Sequence, residues 1–429
     1  MKMQRKKMLI VGLAIALLIG IVSAATISYF GQIQMTANVK QAVLLDGRDF
    51  SQPITETVNV TGGESFWRLH YLQSQTSVPV NLLLETSYSP PLTDSEIITT
   101  YHFANASTVE KTADRLVVLQ SSSDAGWDWS VTGLTAHSGS ASPTNIYGVT
   151  ALGLLEAYKL TGNSSYLDAA KKVADAIVAG KSQRADGSIR SPDYRFLVEY
   201  GIISGNSTYI SYARSKWDSD CANVTYYASP EAMYNHLATT WMNDTGIDVW
   251  ELSNFGLSAF AVKDTDWANK AADVVASYSL AINDSDEYRF VGWGNALRFL
   301  CTVNATKYSA NITSLVTTLN NTQLSDGSWN SDTQDTAYVI MGLNAAGAID
   351  SAKRGVEWLV TTQQSNGGWI SDGSEYSEVD SEAIQALPIA LTQVTLLPYE
   401  HLNFYITYEF AVNIYPYTYT ITTTVKPAS

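Results

Sequence analysis

The sequence predicts a multidomain α and β protein in which a block of stacked helical hairpins stands between two groups of antiparallel strands. Three observations carry this. Period-two alternation is confined to the two ends of the chain, helical spacing fills the middle, and a Gln-x-x-x-Gly-x-Trp turn recurs with a period near forty residues.

The N-terminus carries Lys2, Arg5, Lys6 and Lys7, then an apolar run from Met8 to about Ala25. This is the pattern of an export leader, residues 1–24, either cleaved after Ala24 or retained as a membrane anchor. The basic flank places the rest of the chain outside the cell in both cases. Ten Asn-x-Ser/Thr triplets, at Asn59, Asn105, Asn163, Asn206, Asn223, Asn243, Asn283, Asn304, Asn311 and Asn320, agree with a glycosylated extracellular body.

Residues 25–118 read as the N-terminal strands of a β-sandwich. Val58 with Val60, Trp67 with Leu69 and Tyr71, and Val80 with Leu82 and Leu84 alternate, with turns at Asp46-Gly47 and Gly62-Gly63. Residues 119–389 read as helical, with windows such as Asn145–Leu160, Asp248–Val262 and Thr333–Ala346 among about twelve helices. Alternation returns in residues 390–429, at Leu402 to Phe410 and Tyr417 to Val425. A lone two-strand ribbon is marginally stable, so these last strands are expected to complete the N-terminal sandwich around an inserted helical domain.

Gln323-Leu-Ser-Asp-Gly327-Ser-Trp329 and Gln363-Gln-Ser-Asn-Gly367-Gly-Trp369 share one pattern, Gln183 to Ile189 repeats it with Ile for Trp, and Gln120 with Gly126-Trp127 is a looser copy. Glycine past a helix end ends the helix, the glutamine amide can hold its last carbonyls, and the tryptophan packs the turn. From about residue 120 to 387 the chain therefore resembles the α/α-toroid superfamily of terpenoid cyclases and protein prenyltransferases. The resemblance implies an α/α toroid of about six hairpins, inserted into or flanked by strands of the antiparallel sandwich. Ala25-Thr-Ile-Ser-Tyr-Phe30-Gly31 is similar to the segment after the signal in TasA/camelysin-type fibre proteins, which implies a sandwich able to assemble by strand exchange.

Cyclases of the toroid superfamily protonate their substrate with an Asp-x-Asp-Asp cluster. The two matching positions read Asp332-Thr-Gln-Asp335 and Glu378-Val-Asp380-Ser381, each short of one neighbouring carboxylate. Asp335 and Asp380 are therefore expected to sit at helix starts as caps, without an acidic partner. Prenyltransferase zinc chemistry lacks its ligands, because Cys221 and His236 stand without a supporting Cys or His. Cys221 and Cys301 could pair or stay free. No cofactor is expected. Asp372, Glu375, Glu378 and Asp380 share one loop region that would suit calcium, although the spacing of a helix-loop-helix calcium site is missing.

Eleven tryptophans and twenty-five tyrosines leave carbohydrate handling as the least strained chemistry. Trp127-Asp128-Trp129 and Asp248-Val249-Trp250-Glu251 set carboxylates beside aromatic faces, where sugar rings stack. Asp335, Asp380, Asp248, Glu251 and Asp128 are the candidate catalytic groups, and Trp127, Trp129 and Trp250 the candidate ligand-binding ones. The formal charge is −15, or −19 without the four basic leader residues, which excludes nucleic acid as a partner. The sequence alone favours a non-catalytic cell-surface module that binds glycans or other surface-layer proteins. An extracellular glycoside hydrolase or polysaccharide lyase is the alternative.

Overall fold

A computed structural model describes residues 43–49, 53–134, 141–240, 244–411, 414 and 416–428. The leader, the Ala25–Gly31 segment, His137 and the Asn243 triplet lie outside the described residues.

Six strands precede the helices: β1 (Val43–Leu45), β2 (Arg48–Asp49), β3 (Ile54–Val60), β4 (Ser65–Ser74), β5 (Val80–Ser89) and β6 (Ile97–Phe103). β9 (Ile389–Ala390), β10 (Gln393–Leu396), β11 (His401–Phe410) and β12 (Tyr417–Pro427) follow them, and the short ribbon β7 (Ile370–Ser371) and β8 (Ser374–Glu375) lies in a helical turn. The sheets order as β2-β1-β4-β11-β6-β9 and β10-β5-β12-β3. The late strands are thus interior members: β11 lies between β4 and β6, and β12 between β5 and β3. Leu72, Leu82, Phe404, Ile406, Ile421 and Val425 from both sheets form one apolar core. Trp67, Leu69 and Tyr71 share the other face of β4, where Trp67 packs edge-on against Tyr158 of the helical part. The aromatic side of that strand serves the interdomain contact, and His70 and Leu72 serve the sandwich core.

Thirteen α-helices are found among the described residues. Six form an inner ring: α2 (Tyr147–Thr161), α4 (Ser191–Ser204), α7 (Thr245–Ala261), α9 (Arg289–Asn304), α11 (Thr333–Ala345) and α13 (Ser377–Ala386). Each packs on the next, and α13 packs back on α2, which closes the ring. Their surfaces are buried nearly all round, so their sequences carry apolar residues on every side. Six outer helices have one apolar stripe each: α1 (Ala106–Leu119), α3 (Ser164–Val178), α5 (Ser207–Asn223), α8 (Thr265–Ser279), α10 (Ser309–Thr322) and α12 (Ile349–Thr362). A short extra helix, α6 (Pro230–Thr240), lies beside α7. The architecture is an α/α toroid of six hairpins joined to an antiparallel sandwich.

Helix α1 lies on the N-terminal side of residue 118, where strands were expected, and packs on α2, α3 and α13. Its buried face includes Thr108, Thr112, Ala113 and Arg115, so the apolar stripe that marks a helix in sequence is thin.

The repeated turns hold the hairpins together, with the roles of two residues exchanged from expectation. The indole N–H groups of Trp127, Trp329 and Trp369 donate to the carbonyls of Leu116, Leu319 and Leu359, in the last turn of the preceding outer helix. The glutamines instead clamp the turn to the next outer helix: Gln323 donates to Gly327 O and Ser351 O, and Gln363 to Gly367 O and Thr108 O. Helix-end carbonyls that would otherwise be orphaned are satisfied by tryptophan. In the Gln183 copy, Ile189 offers no donor, and Lys216 takes over the carbonyl of Gly187 at 2.8 Å.

The sandwich covers the C-terminal end of the ring. Tyr405 donates to Glu156 of α2, Asn403 donates to Leu160 O at 3.1 Å, and Asn344 at the end of α11 bonds Pro388 O and Ala390 N. Among the described residues, no helix is long and apolar enough to cross a membrane.

Candidate active site

With one end of the ring covered, the opposite end opens as a cleft of about 280 Å³ lined by the early turns of the inner helices. Each inner helix contributes because it is parallel to its neighbours in the ring. Val149, Ser191, Trp250, Val291, Gln334 and Glu378 reach the cleft from six different helices. Trp129 and Tyr376 stand together at its rim, with ring planes 78° apart, and Trp250 meets Tyr338 edge-on at 5.8 Å. These aromatic edges frame a space lined by both aliphatic and charged side chains.

Three carboxyls line this space, Asp372, Glu251 and Glu378, and the surroundings of the two glutamates differ. Glu378 accepts no hydrogen bond from any described residue. Burial, then the negative charges of Glu382 and Glu251, push its pKa well above the ordinary value and favour its protonated form. Glu251 is also raised by burial, but Arg184 at 3.8 Å, the Ser191 hydroxyl at 3.2 Å and Arg190 favour its charged form. Paired carboxyls with divergent environments are the usual arrangement of an acid and a base. Behind them Glu382 accepts from Tyr338 at 2.7 Å and from Gln334 at 2.9 Å, and burial still lifts its pKa to about 7. Arg190, Arg195 and Arg298 add three guanidinium groups to the lining.

The sequence candidates divide. Glu251, Trp129 and Trp250 line the cleft. Trp127 is fully buried in a hairpin turn and is not among the lining residues. Asp335, Asp380, Asp248 and Asp128 are not among the lining residues.

The expected capping roles of Asp335 and Asp380 need correction as well. Asp332 is the cap of α11, accepting from the backbone N–H groups of Gln334 and Asp335. Asp335 accepts from the Asn330 amide at 3.1 Å, and burial together with nearby Asp332 raises it to about 7. Asp380 accepts from Trp369 N, a neighbouring turn, at 2.7 Å, and it has an acidic partner in Glu375, which Arg115 holds from α1. Asp248 is in the first turn of α7 with its pKa raised by burial to about 6. The Asp128 carbonyl receives the Ser377 hydroxyl at 2.5 Å.

The loop carboxylates proposed for calcium diverge: Glu375 pairs with Arg115, Asp380 bonds Trp369 N, and Glu378 faces the cleft. Among the described residues, no group of three His, Cys, Asp or Glu side chains has metal-binding geometry. Cys221 and Cys301 are unpaired.

Sequence reasoning missed the role of Glu378 and overlooked Glu382 and the arginines. One signal was present: Glu378 and Glu382 are four apart, hence one above the other on a helix face.

No protein-family model and no curated protein matches this sequence. Solved structures match at low identity. An inactive variant of an α-1,6-mannanase from Salegentibacter sp. HEL1_6, in complex with α-1,6-mannotriose, is 10% identical, with 66% of this chain and 97% of that chain covered and a TM-score of 0.45. An unsaturated glucuronyl hydrolase from Bacillus sp. GL1 is 12% identical over 65% of this chain and 95% of that chain, with a TM-score of 0.45. A type II terpene cyclase from Scytonema is 10% identical over 66% and 96%, with a TM-score of 0.44. These likenesses concern the toroid fold. The expectation of a non-catalytic display module is corrected here, because its premise that no carboxylate constellation exists fails at Glu251 and Glu378.

Proposed function

We propose that the toroid cleft is the active site of an exported glycoside hydrolase. The observation that carries this reading is the Glu378–Glu251 pair, set in a cleft rimmed by Trp129, Trp250 and Tyr376. Sugar rings stack on the aromatic faces. Glu378 gives its proton to the glycosidic oxygen as the bond from the anomeric carbon breaks. Ionised Glu251 stabilises the positive charge left on that carbon and takes a proton from the attacking water.

Lyase chemistry would need a base to remove a carbon-bound proton. Tyr338, one phenol of the lining, donates to Glu382, and burial raises its pKa well above the ordinary value. That environment favours hydrolysis over elimination. Export rests on the basic-then-apolar leader and on the triplets, eight of whose asparagines are exposed: Asn59, Asn105, Asn163, Asn206, Asn223, Asn283, Asn304 and Asn320. Asn105, Asn163 and Asn206 also cap helices through their side-chain oxygens, which leaves their amide nitrogens toward solvent.

The test is release of reducing sugar from a panel of neutral and acidic polysaccharides. Glu378→Gln and Glu251→Gln should each lower turnover roughly 100-fold or more, with circular dichroism unchanged. Turnover that survives in both folded variants refutes the assignment. An unsaturated, ultraviolet-absorbing product would replace hydrolysis by elimination.

A further inference from the structure

Two arginines of the cleft lining, Arg298 and Arg195, are more than a neutral sugar requires. Arg298 is the tenth residue of α9, roughly 14 Å along the helix from its start. It lines the cavity and makes no direct ion pair among the described residues; its guanidinium donates to Met341 Sδ at 3.1 Å. Arg195 of α4 lies close enough that its charge disfavours that of Arg298. Burial and then this repulsion lower the Arg298 pKa to about 10. Arg195 in turn donates to Gln385 Oε1 at 2.9 Å and lies 3.4 Å from Glu199.

A guanidinium withdrawn from water without a direct ion pair is costly, a second one beside it adds to the cost, and the charges of Glu199 and Glu156 offset it only in part. Sugar hydroxyls would not relieve it. An anion would, and the planar fork of arginine matches a carboxylate in two parallel hydrogen bonds.

We infer that Arg298 and Arg195 form a subsite for an anionic substituent of the glycan, the carboxylate of a uronic acid or a sulfate ester. The inference rests on the reading of the cleft as a glycan site and adds the substrate class: acidic polysaccharide.

Calorimetric titration of full-length Glu378→Gln protein tests this without turnover, using glucuronate, glucose 6-sulfate and glucose as probes. At least one acidic probe should bind ten-fold or more tightly than glucose, and the preference should weaken with added salt. Tighter glucuronate identifies a uronic acid, and tighter glucose 6-sulfate a sulfate ester. Adding Arg298→Gln should erase the preference, weakening the acidic probe at least ten-fold more than glucose. If that protein does not fold, Arg195→Gln should reduce the preference in the same direction. Equal binding of all three probes, no binding of either acidic probe, or a preference that survives both substitutions overturns the inference. Acidic sugars that bind but are never cleaved would leave the subsite standing and remove the hydrolase assignment. Cleavage of neutral glycans alone would do the reverse.

Discussion

Glu382 should make this protein less stable as the pH rises from acid to neutral. Its carboxyl is buried between Tyr338 and Gln334, and burial moves its pKa from 4.5 to about 7. The folded state therefore holds a proton that the unfolded chain has already released. The associated stability is fully present below the unfolded value of 4.5 and is lost as pH passes through about 7. At about 1.4 kcal/mol per pKa unit, a rise of that size corresponds to about 3 kcal/mol. That is a large share of the 5–15 kcal/mol typical of whole proteins (about). Glu382→Gln removes the titration and keeps the geometry. The amide oxygen still accepts from Tyr338, and Gln334 can turn its own oxygen toward the new N–H. Urea unfolding at pH 4.5 and pH 8, followed by helical circular dichroism, gives the comparison. Wild type should lose about 3 kcal/mol more than the variant between the two pH values. Equal pH dependence in both proteins, or a wild type that gains stability relative to the variant at pH 8, refutes the buried, protonated Glu382.

Asp380→Asn should be neutral in acid and stabilising at pH 8, because the amide can donate to Glu375 while its oxygen keeps the Trp369 N–H; a melting-temperature series against pH reads this directly. Gly327→Ala should destabilise more than Gly187→Ala in urea titrations. Both have positive φ, but the added Cβ meets Arg354 O at 2.4 Å at the first site and nothing within 4 Å at the second. Trp329→Phe should cost about 1 kcal/mol for the lost bond to Leu319 O. Deleting residues 400–429 should unfold the sandwich, since β11 and β12 are interior strands; native near-ultraviolet dichroism in the truncated protein would contradict that pairing.

The repeat was readable because its chemistry is local. Gln323, Gly327 and Trp329 bond within one turn and to the helix just before it, so a fixed spacing carries the whole device. The alternation of Phe404, Ile406 and Tyr408 was readable for the same reason, as a strand with one face in a core. Helix α1 was not, because its buried face relies on small and polar groups such as Thr112, whose hydroxyl bonds Gly367 O from the far end of the ring.

By itself the sequence determined the order of textures, the six-hairpin toroid and three of the residues that line its cleft, Glu251, Trp129 and Trp250. Each of these follows from residue type and short-range spacing. Only the tertiary structure decided which carboxyls meet. Glu251 and Glu378 are 127 positions apart and come together because α13 packs back on α2 to close a ring. Asp335 and Asp380 look equally acidic in sequence, yet one turns to Asn330 and the other to Trp369 N, away from the cleft. Proton affinity is likewise a property of surroundings. Burial and neighbouring charge, which no local pattern encodes, raise Glu378 and lower Arg298.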